Sequence, residues 1–270
     1  MTGTTTRETA PEQTARPEPS EQDTVVYVYG IVPADVEAEP DARGVHDSEV
    51  RVVRCDDIAA LVSKVPRDEA LGRPADLTAH AAVLDGTAAA APVLPMRFGA
   101  VVASEEAVTG ELLTEHHDEF AAALTELEGK AQYVIRGRYQ ENVVLREILE
   151  ENPQLAQLRE SLRGKPEDAT RNERIALGEH INNAITAKRE ADTATMTEAI
   201  ASVLDAPVNV REPTHEEDAV YLAVLVEVAR QSDLEELVDR VAEQWRDRVD
   251  VELRGPLAPY DFVVTQQGQG

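Results

Sequence analysis

The sequence predicts an α+β protein with two folded units, and three observations carry that reading. Alternating Val and Tyr in "TVVYVYGIV" open the ordered chain as a strand, and the strand-like "AQYVIRGRY" begins a second set of elements after Gly129. Between these strands, apolar residues recur at helical spacing. The length of 270 residues suits one large domain or two ordinary ones.

Each element follows from local chemistry. The strand from Thr24 to Val32 is closed by Pro33, and "EVRVVRC" and "DIAALVSKV" read as two further short strands. "ADLTAHAAVLDGTAAAA" reads as a helix with Leu77, Ala81, Leu84 and Ala88 on its inner face and Asp76 as its amino-terminal cap. Pro92 ends it, and "PVLPMRFGAVV" follows as an extended segment. Pro95 suits an edge strand because it cannot donate to a ladder, and Gly99 suits a close approach of backbones where strand gives way to helix. Ser104 caps the next helix, whose apolar face runs Leu113, Phe120, Leu124, Leu127 and which stops at Gly129.

The second unit begins with that strand after Gly129. A helix from Glu141 to Glu150 is interrupted at Pro153. A long helical region over roughly 167–205 carries Ile175, Ile181, Ile185, Met196, Ile200 and Val203 along one face, with weak helix propensity at "ADTATMT" marking a candidate break. "APVNVREP" pairs with "DAVYLAVLVEV", "DLEELVDRVAEQW" is an amphipathic helix, and "RVDVELRGPLAPYDFV" is a last strand. This order is βαββαβ, a modified ferredoxin-like fold with an enlarged helical crossover. The expected organisation is a disordered acidic tail at 1–23, an α+β domain at 24–129, the ferredoxin-like domain at 130–264 and a polar tail at 265–270.

Composition narrows the function. With 52 acidic against 26 basic side chains the formal charge is −26, which repels nucleic-acid phosphates and anionic membranes and favours protein partners. The single cysteine, Cys55, excludes an intrachain disulfide, and no apolar run approaches the roughly 20 residues of a membrane span. The amino terminus lacks the apolar block of a signal peptide, so a cytoplasmic location is expected. No zinc, phosphate-loop, dinucleotide, calcium or nucleophile-elbow motif is present, and neither a cofactor nor an enzyme activity is expected.

A few side chains stand out. His116 and His117 are adjacent, and neighbouring helical positions point about 100° apart, which argues against a shared metal. "HEED" at 215–218 reads as solvated carboxylates of a hairpin loop. His80 faces inward or along a cleft edge, as a general base or as a core histidine with a bonded ring. Arg97, alone in an apolar segment, must snorkel, bind something or pair with a carboxylate, and an internal ion pair is the simplest reading.

"VYVYGIV", "PVLPMRFGAVVASEE" and "LRGPLAPYDFV", with His80 ahead of the middle motif and the junction "LTELEGKAQYVIRGRY", together resemble the gas vesicle protein GvpF/GvpL family over roughly residues 24–264. Leu257 and Ala258 stand where the family commonly has a tryptophan and then a proline. The resemblance implies a two-domain, non-enzymatic accessory or minor structural protein of gas vesicles. Its implied partners are the shell protein GvpA and other vesicle accessory proteins, and nucleation or assembly of the vesicle is its implied task. Arg97, Phe98, Tyr260 and Phe262 are the candidate partner-contact or domain-anchoring residues. The competing reading is a ligand-binding or enzymatic ferredoxin-like module with a pocket near His80 and Arg97.

Overall fold

A computed structural model describes residues 23–140 and 142–263. Of the tail expected at 1–23, residues 1–22 lie outside the described residues, as does the tail expected at 265–270. The chain forms two antiparallel sheets. The first, five-stranded, has the order β2-β3-β1-β4, with β5 also on β1; it combines β1 (Thr24–Pro33), β2 (Arg51–Cys55), β3 (Ile58–Pro66), β4 (Leu94–Pro95) and β5 (Val101–Val102). The second, four-stranded, has the order β7-β8-β6-β9, from β6 (Lys130–Tyr139), β7 (Val208–Val210), β8 (Asp218–Glu227) and β9 (Val249–Leu257).

Strand β1 is apolar on both faces because both are covered. Tyr27, Tyr29 and Val32 pack toward helix α1 (Pro74–Ala88), while Val26, Val28 and Ile31 pack against Phe120 and Leu124. Strict alternation would place Tyr29 and Ile31 on one face. A register shift against β3 between Val28 and Gly30 inserts the extra residue that separates them. Gly30 is required there, since a Cβ would stand 2.8 Å from both Leu84 Cδ2 and the Leu94 carbonyl oxygen.

Helix α1 forms where expected, but its inner face is rotated. Leu77 is 50% exposed, whereas Asp76, His80, Val83, Leu84 and Ala88 are buried. Asp76 is not the cap: it lies in the first turn and accepts from the backbone N–H of Arg73 and, with both carboxylate oxygens, from the Arg73 side chain. Those hydrogen bonds from Arg73 hold the Asp76 carboxyl below the usual carboxylate range. Ser104 does cap its helix, accepting from Ala107 N at 3.3 Å. That helix is not continuous. A short α2 (Glu105–Ala107) passes into a π-helical segment, Val108–Thr114, before α3 (His117–Leu127). The wider turn serves burial, for Val108 and Leu113 are both inside.

In the second sheet, the face carrying Tyr133, Ile135, Leu222 and Val224 packs against Met196 and Ile200 of α6 (Arg171–Val203) and Leu234, Leu237 and Val241 of α7 (Gln231–Gln244). Before α6, the segment read as one interrupted helix is a pair, α4 (Val143–Glu151) and α5 (Pro153–Leu162), because Pro153 starts a helix as readily as it ends one. Helix α6 runs through "ADTATMT" without a break. Thr195 and Thr197 turn their hydroxyls back to the carbonyls of Ala191 and Thr193, and Asp192 is anchored from outside the helix. The Asp192 carboxylate accepts Tyr139 Oη at 2.6 Å and two Arg248 nitrogens at 2.9 Å each, and Arg248 also reaches Glu147 at 2.8 Å.

This network ties α4 and α6 to the ends of β6 and β9, and Asp192 is largely buried within it. Asp192→Ala leaves a tyrosine hydroxyl and a half-sequestered guanidinium without their acceptor, and is expected to cost about 2–4 kcal/mol in urea unfolding. Glu252→Ala, which removes an exposed Arg254 partner on β9, is expected to leave the urea midpoint unchanged.

Candidate functional site

The motifs singled out in the sequence lie far apart along the chain but meet at one place. Tyr27 and Tyr29 come from β1, His80 from the middle of α1, Phe98 from the loop between β4 and β5, and Tyr260 from the segment after β9. The His80 ring lies 5.7 Å from Tyr27, 5.8 Å from Tyr29, 5.6 Å from Phe98 and 6.4 Å from Tyr260. In a chain with only 4% aromatic residues, this concentration marks the point where its parts are held together.

The "PMRFG" loop is an interruption in an edge of the first sheet. Leu94 and Pro95 pair with Ile31 and Gly30, and Val101 and Val102 pair with Tyr27 and Val26. Between them the backbone stays tethered by Met96 N to Tyr29 O at 2.8 Å and Val28 N to Ala100 O at 2.9 Å. Pro95 therefore occupies the edge position expected of it. Gly99 is needed for its positive φ of 88° rather than for close packing, because a Cβ there meets nothing within 4 Å. Arg97 sits at the outer bend, exposed, with no ion pair among the described residues. The expected internal ion pair is not formed, since the bend carries the side chain away from the sheet.

Tyr27 Oη accepts the Gly99 N–H at 3.1 Å and lies 2.9 Å from His80 Nδ1. With its oxygen already accepting from Gly99, Tyr27 donates to Nδ1, which places the histidine's own proton on Nε2. Nε2 is buried without a hydrogen-bond partner. Burial pushes the Tyr27 hydroxyl up to about 12 and pushes His80 below the usual imidazole range. The Met96 backbone opposes the histidine shift only in part and lies outside hydrogen-bond geometry. Of the two sequence readings of His80, the core histidine fits: it is 4% exposed. Grooves among the described residues lie against α3, the outer side of α1, the α4–α5 pair, the amino-terminal half of α6 and the β6–β9 face, and none of these is lined by His80 or Arg97.

After β9 the chain leaves its own sheet and straps the other. Ala258 is fully buried in the core beneath α1, and its N–H donates to Asp85 Oδ1 at 2.9 Å. Three residues on, Asp261 N donates to Gln132 Oε1 on β6 at 3.0 Å, and the Asp261 carboxylate pairs with Arg211 beside β7. Tyr260 lies between these anchors, 41% exposed, and Phe262 is half-buried with its N–H on the Pro259 carbonyl at 3.0 Å. Of Leu257 and Ala258, where the resemblance noted in the sequence is imperfect, Ala258 is the residue that enters the core.

Sequence reasoning missed three participants. Asp85 carries no signal of its own in the alanine-rich helix, yet it receives the strap. Tyr29 reads only as strand, yet its hydroxyl takes the Val45 N–H at 2.8 Å and donates to Ser63 at 3.0 Å. His46 lies in a short 3-10 turn, Val45–Asp47, with its ring buried within 3.6 Å of Asp76 and 3.4 Å of Glu69. The paired histidines diverge as expected, His117 reaching Asp57 at 2.6 Å and His116 packing on Phe120. The "HEED" carboxylates do not all behave as solvated groups: Asp218 is buried and accepts Arg136 at 3.0 Å. Among the described residues no group of three or more His, Cys, Asp or Glu side chains is placed to hold a metal ion, and no helix is long and apolar enough to cross a membrane.

Arg97→Ala is expected to leave the melting temperature within about 2 °C of the parent, as for an exposed side chain without partners. For His80 the folded state refuses a proton that the unfolded chain accepts near the ordinary value of 6.5. Stability is therefore lost as pH falls below that value, and urea titrations from pH 7 to 5 are expected to show the parent losing more than His80→Gln.

The comparisons with known proteins agree with this arrangement. Residues 25–264 match the family described as gas vesicle synthesis protein GvpL/GvpF. Gas vesicle protein F of Streptomyces sp. (strain CB03234) is 32% identical over 88% of this chain and 98% of its own length. Gas vesicle protein F of Dolichospermum flosaquae is 26% identical over 88% of this chain and 96% of its own. The fold is similar to the crystal structure of GvpF from Anabaena sp. PCC7120, with a TM-score of 0.73 at 22% identity over 88% of this chain and 97% of that one. The match extends over both sheets and the strap that joins them, and on it the chain belongs to the GvpL/GvpF family of gas vesicle proteins.

Proposed function

We propose that this chain is a non-catalytic assembly partner of the gas vesicle, binding the apolar shell subunit GvpA and holding it soluble until it is added to the growing wall. The observation that carries this reading is that both sheets end in strands with an unpaired outer edge among the described residues, β2 in the first and β9 in the second. An open edge takes up an extended segment by strand addition, while pendant charges keep the edges from pairing with one another. Arg51 and Arg54 guard β2, and Asp250, Glu252 and Arg254 guard β9. The charge of −26 keeps a complex with an aggregation-prone subunit dispersed.

The same reading treats the chain as two domains divided at Gly129, whose φ of 68° ends α3 before β6 begins. In support of a ferredoxin-like second domain, its strands lie in the spatial order second, third, first, fourth, with helices in both crossovers. Phe98 and Tyr260 then act as anchors between domains. Arg97 and Phe262, at the outer margin of the same region, are the residues left to contact a partner. The ligand-pocket alternative has no support, because His80 is sealed and Arg97 points away from it.

Co-expression of this chain, tagged, with the shell protein is expected to give a soluble complex of defined stoichiometry on size-exclusion chromatography. Val52→Pro on β2 or Val251→Pro on β9 is expected to reduce recovery of the shell protein at least severalfold, depending on which edge is used. Precipitated shell protein beside unaltered chain would overturn the reading.

A further inference from the structure

The amino-terminal half of α6 carries a face that the rest of the described residues cover only in part. Ile175, Gly178, Asn182, Ile185 and Arg189 follow one another at spacings of three and four, which places them in one stripe along the helix. Ile175 is 53% exposed. Helices α4 and α5 pack on the neighbouring face, where Lys188 reaches Glu147 and Glu151 and Arg174 reaches the Leu162 carbonyl. From Gly178 to Arg189 the stripe, with Ile181 beside it, forms one wall of a groove of about 500 Å³, and residues 213–216 of the β7–β8 loop form the other.

That second wall is built rather than loose. Asp218 Oδ2 accepts the backbone N–H groups of Thr214 at 2.7 Å and His215 at 2.9 Å, and Arg189 donates to the Asp218 and Glu216 carbonyls at 2.6 and 3.0 Å. Arg189 therefore spends its hydrogen bonds on backbone and holds the loop at a fixed distance from the helix. Gly178 is the second observation. Glycine is the poorest helix former after proline, and a Cβ at position 178 would meet nothing within 4 Å. The chain's own packing does not require the missing side chain, whereas an incoming helix backbone gains close approach there. Charge supplies the third. Glu179 and Glu190 on the helix bank and Glu216 and Glu217 on the loop bank are exposed and make no ion pair among the described residues.

We propose that the groove between α6 and the β7–β8 loop receives an amphipathic helix of a partner protein, apolar along one stripe and flanked by lysine or arginine. Ridges spaced at three and four residues accept a helix, and the stripe from Ile175 to Arg189 spans about 21 Å, the length of four turns. A second copy of the chain is disfavoured as occupant, because each copy carries a charge of −26 and the same acidic banks. This surface is separate from the sheet edges assigned to the shell subunit, so either proposal stands or falls alone.

The test uses the full chain and a fluorescein-labelled 18-residue helical peptide with leucines in one stripe and lysines on both flanks, followed by anisotropy at about 0.1 M salt. Saturable binding is expected, weakened at least tenfold by Gly178→Trp, which fills the groove without altering charge, and lost with a peptide carrying glutamates for lysines. Should Gly178→Trp fail to fold by circular dichroism, Asn182→Trp, on the same groove wall and equally without charge, takes its place with the same expectation. Equal binding by parent and folded variant, or by both peptides, overturns the proposal. So does sedimentation showing that the parent self-associates and the variant does not, which would make a second copy the occupant.

Discussion

The interaction on which the rest of this structure depends is the entry of the chain after β9 into the core of the other sheet. The Ala258 N–H to Asp85 and the burial of Ala258 beneath α1 convert the end of one sheet's edge strand into part of the other sheet's interior. Contact between two separately formed sheets is ordinarily small and permits motion. Here the link is covalent at β9, hydrogen-bonded at Asp85, and braced on the far side by Gln132 and Arg211. Asp85 is held above the usual carboxylate range by its burial, and the Ala258 N–H offsets part of that rise.

A second constraint is the scarcity of aromatic residues. An aliphatic, alanine-rich core packs well but offers few large rigid groups to define one arrangement of parts. The chain spends its tyrosines where a polar tip is also needed. Tyr27 ties His80 to Gly99, Tyr29 ties Val45 to Ser63, and Tyr139 ties β6 to Asp192. Each ring fills volume while its hydroxyl fixes a loop or helix, so one residue does the work of packing and of orientation. Gly44 shows how tight this is, since a Cβ there would lie 1.8 Å from the Tyr29 oxygen.

Much of this was legible in the sequence, and the failures have physical causes. The strands of both sheets, the Ser104 cap and the stop at Gly129 depend on short-range chemistry and could be read directly. The inner face of α1 could not, because its alanines give no contrast between faces; the polar Asp76 and His80 turn inward and Leu77 outward. The continuity of α6 was misjudged because Asp192 is stabilised by Arg248, far along the chain. The role of Arg97 was misread for a similar reason: the motif around it marks a loop held by backbone hydrogen bonds, and its most conspicuous side chain is the one the loop leaves free. The meeting of His80, Phe98 and Tyr260 depends on separations that no local pattern encodes.

The most direct test of the strap is differential scanning calorimetry of the chain against a form ending at Leu257. If the segment from Ala258 onward fastens the two sheets, the full chain unfolds in a single transition, and the shortened form shows two, with the lower one belonging to the sheet that contains α1. A shortened form that melts in one transition at the parent temperature would contradict the account and leave the strap as a passive terminus.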